Sequence, residues 1–339
     1  MKKNSQQAIE LEEATCPLCG SAERRPLLKG RDNLYHLAGD FQIVRCRLCR
    51  HVYMNPRPTD AAIPLCYPAE YGPHRSRDEA KTDPVESAVP SGSPWYLSPW
   101  ARRIPGLRRL YYWLTDSKSE YIPTVASSSK RALEIGCATG GFLVRLHNEG
   151  WNAKGVELAE SPARQAAEQG FDVHVGTFES AAFAEASFDA VFAWMVIEHL
   201  QDPKSTLREI HRILEPGACF AFSVPNFASW ERWFFGRCWH AMELPRHLQH
   251  FTQRTLRSML DDTGFDAVTI RHQRNLLSCV GSMGIGLQRC FPRGTLGQRL
   301  IGFSEQPTLW WQLALAPLAI LLALARQGGR LTVIAHRKS

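Results

Sequence analysis

From Arg131 onward, short apolar runs alternate with amphipathic ones, and glycine or proline marks most of the joins. Arg131 to Ile135 reads as a strand, followed by a glycine turn and a helical pattern from Phe142 to Glu149. Ala153 to Val156 is the next predicted strand, and Ser161 to Gln169 a helix with a serine cap and proline at its first position. Asp172 to Val175, Phe188 to Trp194 and Cys219 to Val224 supply three more strands, with a helix over Pro203 to Leu214 between the last two. Thr252 to Asp262 is a further helix, closed by Gly264, and Val268 to Arg271 a strand. Leu331 to Ala335 is the last strand, reached after a long apolar detour, and it should pair beside Val268 to Arg271. This order predicts an α/β fold, a parallel sheet with helices on both faces.

The first third reads differently. Residues 16 to 53 carry short alternating runs such as Phe41-Gln42-Ile43-Val44, the pattern of a small β-ribbon. Prolines recur from Asn55 to Pro94, a linker signature. Ser98 to Leu114 then places Ile104, Leu107, Tyr111 and Leu114 at helical spacing, with arginines on the other faces. The expected divisions are 1–55 (ribbon module), 56–127 (linker and amphipathic helix), 128–272 (core), 273–329 (apolar helical insertion) and 330–339 (last core strand).

Composition excludes a wholly disordered or polytopic membrane chain: 44% of the 339 residues are hydrophobic and 22% charged. The net charge of +7 is unevenly spread. Trp95 to Trp113 holds four arginines and no acid, and Leu276 to Ser339 seven basic residues against Glu305 alone. Positive charge among aromatic and aliphatic residues suits an anionic membrane surface better than nucleic acid. The N-terminus, MKKNSQQAIELEEATC, lacks an apolar signal core, which predicts a cytoplasmic protein, in contact with the inner face of the membrane if the basic segments bind it.

Chemistry concentrates first in Leu133-Glu134-Ile135-Gly136-Cys137-Ala138-Thr139-Gly140-Gly141, between a strand and a helix. As a dinucleotide fingerprint it would use Gly136, Ala138 and Gly141, but an alanine at the middle position obstructs a pyrophosphate. Glu134 suits an ammonium-bearing ligand such as S-adenosylmethionine. Glu157, 21 residues after Gly136, ends the second strand, where a carboxylate can accept ribose hydroxyls of either nucleotide.

The ordered set LEIGCATGGF, GVELAES, SFDAVFAWMVIEHLQDP, EPGACFAFSVPN and RHLQHFT…TL…GF resembles the class I S-adenosylmethionine-dependent methyltransferases, nearest their quinone and sugar O-methyltransferase branch. The resemblance covers roughly Lys130 to Arg271 and the last ten residues. It implies a Rossmann-like seven-stranded methyltransferase sheet. It also implies that Gly136, Ala138 and Gly140, grouped with Glu134 and Cys137, line the methionine part of the cofactor. Glu157 would hold the ribose, Thr177 and Phe178 would border adenine, and Trp194 and Met195 would close over it or else be plain sheet core. Ala138 replaces a usual glycine, and Gly176-Thr177-Phe178 lacks the acid often found near the adenine amino group.

An oxygen acceptor needs a proton removed, and histidine suits that near pH 7. His199, after the fourth strand, and His247 and His250 in PRHLQHF are the candidates, each also readable as a structural histidine. The dense run Trp230 to Phe235, with Trp239, reads as a lid over an apolar acceptor, a membrane-contacting edge or a satellite core. The expected function is O-methylation of a small molecule such as a sugar, glycan or lipid-linked acceptor. C- or N-methylation of a sugar and a non-catalytic zinc-containing binding protein are the alternatives.

Cys16-x2-Cys19 and Cys46-x2-Cys49, 26 residues apart, match a zinc ribbon with two knuckles around one structural ion; bound iron or free thiols would fit the same pattern. Gly20 follows the first knuckle, and Arg50 stands where glycine is commoner in the second. Similar ribbons precede the methyltransferase domain in some sugar methyltransferases. Finally, Leu309 to Ala325 is 17 residues of LWWQLALAPLAILLALA, borderline for a span of about 20. Its flanking strands share one side of any membrane, so a single crossing is forbidden. The expectation is a helical hairpin with Leu276 to Leu287, dipping into one leaflet through 305–326 with 95–114 lying flat beside it. A homo-oligomer interface is the rival.

Overall fold

A computed structural model of the protein describes residues 9–68, 71, 121–125, 129–305 and 308–338. The predicted amphipathic helix over 98–114 and most of the 56–127 linker lie outside the described residues.

The N-terminal strands are β1 (Leu11–Glu12), β2 (Arg24–Gly30), β3 (Phe41–Cys46), β4 (Val52–Met54) and β5 (Arg57–Pro58). After β6 (Arg131–Ile135) strand and helix alternate: α1 (Gly141–Asn148), β7 (Asn152–Glu157), α2 (Glu160–Glu168), β8 (Asp172–Val175), β9 (Phe188–Trp194), α3 (Pro203–Ile213) and β10 (Leu214–Pro225). Then follow α4 (Trp230–Phe235), β11 (Gln249–His250), α5 (Gln253–Asp262) and β12 (Phe265–His272). The chain closes with α6 (Leu277–Cys290), α7 (Leu296–Glu305), α8 (Leu309–Leu324) and β13 (Arg330–Arg337).

Seven strands form the main sheet, in the order β12-β13-β10-β9-β6-β7-β8. β6 to β10 run parallel, while β13 enters antiparallel between β10 and β12. The sheet is therefore mixed at one edge rather than wholly parallel. The expected pairing of the last strand is observed, with Ile270 opposite Val333 and Arg271 opposite Thr332. Burial explains the continuous apolar runs: Ala190 to Ala193, Phe220 to Phe222 and Val333 are fully buried, as strands covered on both faces must be. One face packs Leu133, Val191 and Phe222 against Leu207, Ile210 and Leu256; the other packs Phe192 and Ala221 against Phe142 and Trp151.

Helix starts follow local chemistry. Asp202 caps α3 by accepting from Ser205 N at 3.0 Å, with Pro203 next, and Thr252 and Thr255 form a reciprocal cap on α5. The predicted Ser161 cap is not used, because α2 begins at Glu160 and the amide of Ala159 donates instead to Glu157 Oε1 at 2.9 Å.

The ribbon is not separate from the rest. Its sheet has the order β11-β4-β3-β2, so its outer strand comes from the PRHLQHF segment, with Gln249 opposite Tyr53 and His250 opposite Val52. A shared apolar core joins Phe41, Ile43, Val52 and Met54 to Trp239, Met242, Leu244 and Leu248. Arg246 and Asp32, both fully buried, add a bidentate ion pair at 2.9 and 3.1 Å beneath the Tyr35 ring.

The apolar insertion is helical, as expected: Leu277 to Leu287 lies within α6, whose Val280, Ser282 and Ile285 are buried, and Leu276 and Leu277 share a small cavity with Gln312, Leu315 and Ala319 of α8. α6 packs on α7, where a Cβ at Gly284 would stand 2.7 Å from the Gly297 carbonyl oxygen, so glycine permits the close approach. No helix of the described residues is long and apolar enough to cross a membrane.

Candidate active site and the cysteine cluster

The glycine turn leaves β6 at the carboxyl edge of the sheet, the edge where open α/β sheets bind ligands. Gly136 and Gly140 take φ values of 72° and 84°, and Ala138, with φ 45°, adopts the same left-handed region at a cost of about 1 kcal/mol. A Cβ at Gly136 would lie 2.6 Å from Val196 Cγ2. Gly136 thus seats the loop on the segment after β9. Cys137 turns its thiol inward over β7, where a Cβ at Gly155 would come within 2.6 Å of the sulfur, and burial pushes the thiol up. Only the backbone of Cys137 can border a ligand.

Glu157 ends β7, buried, with Oε2 accepting from the amide of Ala138 at 2.9 Å. Its carboxylate couples strand end and loop, and each oxygen keeps a further lone pair. Glu134 is buried at the end of β6. Thr177 is exposed, while the Phe178 ring is buried in the main core against Phe183, so only its backbone can face a ligand. The Trp194 ring lies between Phe142 and Phe192, centroids 5.3 and 6.0 Å away, which makes it partly sheet core; among the described residues its Nε1 meets no hydrogen-bond partner. Met195 follows with φ 57°. The donor set of Glu157, the Ala138 backbone and the glycine turn fits S-adenosylmethionine.

His199, His247 and His250 are brought to one region, though not in equivalent settings. The imidazoles of His199 and His247 meet edge to face with centroids 4.7 Å apart. His199 Nδ1 lies 2.9 Å from the Tyr67 hydroxyl and 3.2 Å from the Arg246 carbonyl. Part of His199 reaches solvent, but burial of its ring, then the His247 ring, lower it to about 3. Burial lowers His247 to about 3 as well, and its Nδ1 donates to the Ala241 carbonyl at 3.0 Å. His250 is held in the ribbon sheet against Phe227, and burial takes it well below its usual value. All three are neutral at pH 7, and none is matched in basicity to a proton acceptor working there.

Sequence reasoning passed over Glu198, although it adjoins His199 in VIEHLQDP. The residue is fully buried, and burial raises its carboxyl to about 8. It also passed over Glu243, whose Oε2 is 3.4 Å from His247 Nε2, and Tyr67. Neither carries a local pattern; only the fold brings them here.

The cysteines do converge. The sulfur of Cys16 is 3.5 Å from that of Cys49, and Cys19 is 3.5 Å from Cys46. The four sulfurs lie within 4.8 Å of one another, close to the spacing of about 3.8 Å in a tetrahedral zinc thiolate site. Burial pushes the Cys16 thiol up, whereas hydrogen bonds from the Cys49 backbone and the Cys19 thiol overcome burial at Cys46 and lower it to about 7. Gly20 and Arg50 occupy matching left-handed positions, φ 73° and 68°, after the two knuckles.

Residues 108–270 match a family model described as a methyltransferase domain. The match covers just under half of the chain, and over that stretch the chain is similar to methyltransferase domains. Among curated proteins, the domain is 30% identical over 109 residues to a ubiquinone biosynthesis O-methyltransferase of Pseudomonas entomophila, covering 30% of this chain and 47% of that one. It is 28% identical over 184 residues to a probable S-adenosylmethionine-dependent methyltransferase of Mycolicibacterium smegmatis, covering 53% and 68%. The chain spans about half the length of the ubiquinone-type relatives it matches. Among solved structures, a methyltransferase of Mesorhizobium loti aligns with a TM-score of 0.44 and 17% identity over 67% of this chain and 98% of that one.

Proposed function

We propose that the protein transfers a methyl group from S-adenosylmethionine to an oxygen of a small-molecule acceptor, a sugar, glycan or lipid-linked compound. The observation that carries this reading is the buried carboxylate of Glu157, which ends β7 and accepts from the Ala138 amide of the glycine turn at 2.9 Å. The O-methyltransferase names of relatives favour oxygen over the C- or N-methylation alternative. The cofactor supplies an electrophilic methyl group on a good leaving group. The chain's own residues then have mainly to align the acceptor, the effect that contributes most to such a reaction. Glu157 holds the ribose and fixes the loop through Ala138. The Cys16, Cys19, Cys46 and Cys49 sulfurs hold a structural zinc, since four thiolates leave no open position. Calorimetry with S-adenosylmethionine tests the reading: micromolar binding by the wild type is expected, and no binding would sink it.

A specific feature favours an apolar acceptor delivered from a lipid surface. α8 is inside out: its buried residues are the small Ala316 and Ala319, while Trp310, Leu318, Leu321 and Leu324 are 51% to 79% exposed along one stripe. At 16 residues it is about 24 Å long, suited to lying in one leaflet rather than crossing it. Trp233 and Phe234 of α4 are also exposed. Replacing 304–327 by a short linker is expected to move the protein from the membrane fraction to the soluble fraction. A full-length protein that is monomeric in solution without lipid or detergent would overturn it; a dimer would favour the oligomer interface.

A further inference from the structure

A second group of metal-ligating side chains lies away from the cysteines. Glu198, His199 and His247 each offer a donor atom, and these atoms lie within 4.8 Å of one another. Glu198 is fully buried, and among the described residues no other residue donates a hydrogen bond to its carboxylate oxygens. A buried carboxyl group left so is costly, and native structures complete such groups with a partner.

The two histidines are prepared in the way that ligating imidazoles are. With the proton on His199 Nδ1, which the Arg246 carbonyl at 3.2 Å and the Tyr67 hydroxyl at 2.9 Å can both accept, Nε2 keeps its lone pair. His247 Nδ1 likewise donates to the Ala241 carbonyl, which leaves Nε2 as the free donor, 3.9 Å from Glu198 Oε1. Backbone carbonyls that fix the tautomer are the usual outer shell of metal-bound histidine. Glu243 stands behind, its Oε2 3.4 Å from His247 Nε2 and its Oε1 held by Arg246 Nε at 3.1 Å.

We propose that Glu198, His199 and His247 bind a divalent transition-metal ion, separate from the cysteine cluster, with an open position for an oxygen of the methyl acceptor. Ligands about 2.0–2.2 Å from a tetrahedral ion stand about 3.4 Å apart, so the His247–Glu198 gap has to close by only about half an ångström. Two imidazoles and one carboxylate suit zinc, iron(II) or cobalt rather than magnesium. Three protein ligands are the number that leaves a coordination position free. The place fits as well: Glu198 and His199 lie two and three residues after Val196, against which Gly136 of the glycine turn is seated. The role given to the acceptor oxygen rests on the methyl-transfer reading above, but binding of the ion does not.

The test is zinc stoichiometry in the full-length protein, loaded with Zn2+ and then freed of excess metal. Wild type should carry two zinc ions per chain, and the Glu198→Gln, His247→Asn double variant one. Cobalt exchanged into the double variant should still give the thiolate charge-transfer band of the cysteine cluster, which shows that the ribbon has folded. Affinity for S-adenosylmethionine should stay within about twofold of wild type, so failure here remains distinct from failure of the methyltransferase reading. One zinc ion in the wild type, or two in the double variant, overturns the proposal.

Discussion

The cysteine cluster and the Glu198–His199–His247 group each gather donor atoms within 4.8 Å, yet the chain builds them in opposite ways. Each pair of cysteines sits in one tight turn, so half of the cluster is fixed by two residues of spacing and the β2–β3 hairpin brings the halves together. The second group takes Glu198 and His199 from the turn after β9 and His247 from a segment 48 residues further on, docked by β11 on the ribbon. A local motif can be read from a sequence; a site assembled across a tertiary contact cannot, even when two of its residues, His199 and His247, have been singled out. The comparison also has a direction. The ribbon supports the loop that carries His247, whereas the Glu198 side chain lies outside the ribbon's apolar core.

That asymmetry predicts the largest effect. Cys46→Ser should release the ribbon metal and, because binding of a structural zinc is itself folding energy, cost several kcal/mol. It should also loosen β4 and with it β11, so affinity at the second group falls too, whereas Glu198→Gln leaves the ribbon metal in place. Metal analysis with thermal melting reads both. Equal and independent losses would remove the direction from the comparison.

Next in size is the Arg246–Asp32 pair, which ties the ribbon to the same loop. Removing one partner of a fully buried ion pair leaves the other charge uncompensated, at about 3–5 kcal/mol. Arg246→Ala should therefore lower stability by that amount in urea denaturation while the cysteine cluster still binds zinc. A loss below about 1 kcal/mol would mean that the pair does not join the two regions.

A third experiment asks whether burial alone explains Glu198. Glu231 is also fully buried, beside Trp239 and Ser278, with no histidine pair offering lone pairs, and burial raises its carboxyl to about 7. Its pKa is higher folded than unfolded, so the folded state holds the proton longer. The associated stability is complete below about pH 4.5 and is lost as pH rises to about 7. Wild type should thus lose stability relative to Glu231→Gln between these values, with no response to zinc. A gap constant with pH would contradict this.

At the cofactor turn the contrast is between what the sequence made legible and what it did not. The strand order, the last-strand pairing, the loop and Glu157 follow from periodicity and from residue types with local consequences. The inward thiol of Cys137, the core position of Phe178 and the contact of Gly136 with Val196 depend on which way a side chain points from an irregular turn, and periodicity carries no such information. Leu276 to Leu287 and the tail are both apolar, and only packing shows that Val280 and Ile285 are buried while Trp310, Leu318, Leu321 and Leu324 are exposed. Glu157→Ala should weaken S-adenosylmethionine at least tenfold by calorimetry, since each hydrogen bond to a charged group contributes about 1.5–3 kcal/mol. An unchanged affinity would mean that the carboxylate serves the loop alone.

The smallest expected effect returns to the knuckles, the most legible part of the molecule. Gly20 and Arg50 hold equivalent positions with φ near 70°, but only glycine takes that conformation without a steric penalty. Arginine there costs about 1–2 kcal/mol through its Cβ and the carbonyl oxygen that follows. Arg50→Gly removes this strain, and the greater freedom of glycine in the unfolded chain returns about 0.5–1 kcal/mol of it. The net gain should be about 0.5–1 kcal/mol, seen as a rise of a few degrees in the melting temperature with the metal content unchanged. Gly20→Ala, the reverse change at the matching position, should lower stability, although a Cβ there meets no atom within 4 Å, so the loss would come from backbone conformation alone. If both substitutions destabilise the protein, then Arg50 contributes something at the second knuckle that its backbone angle does not explain.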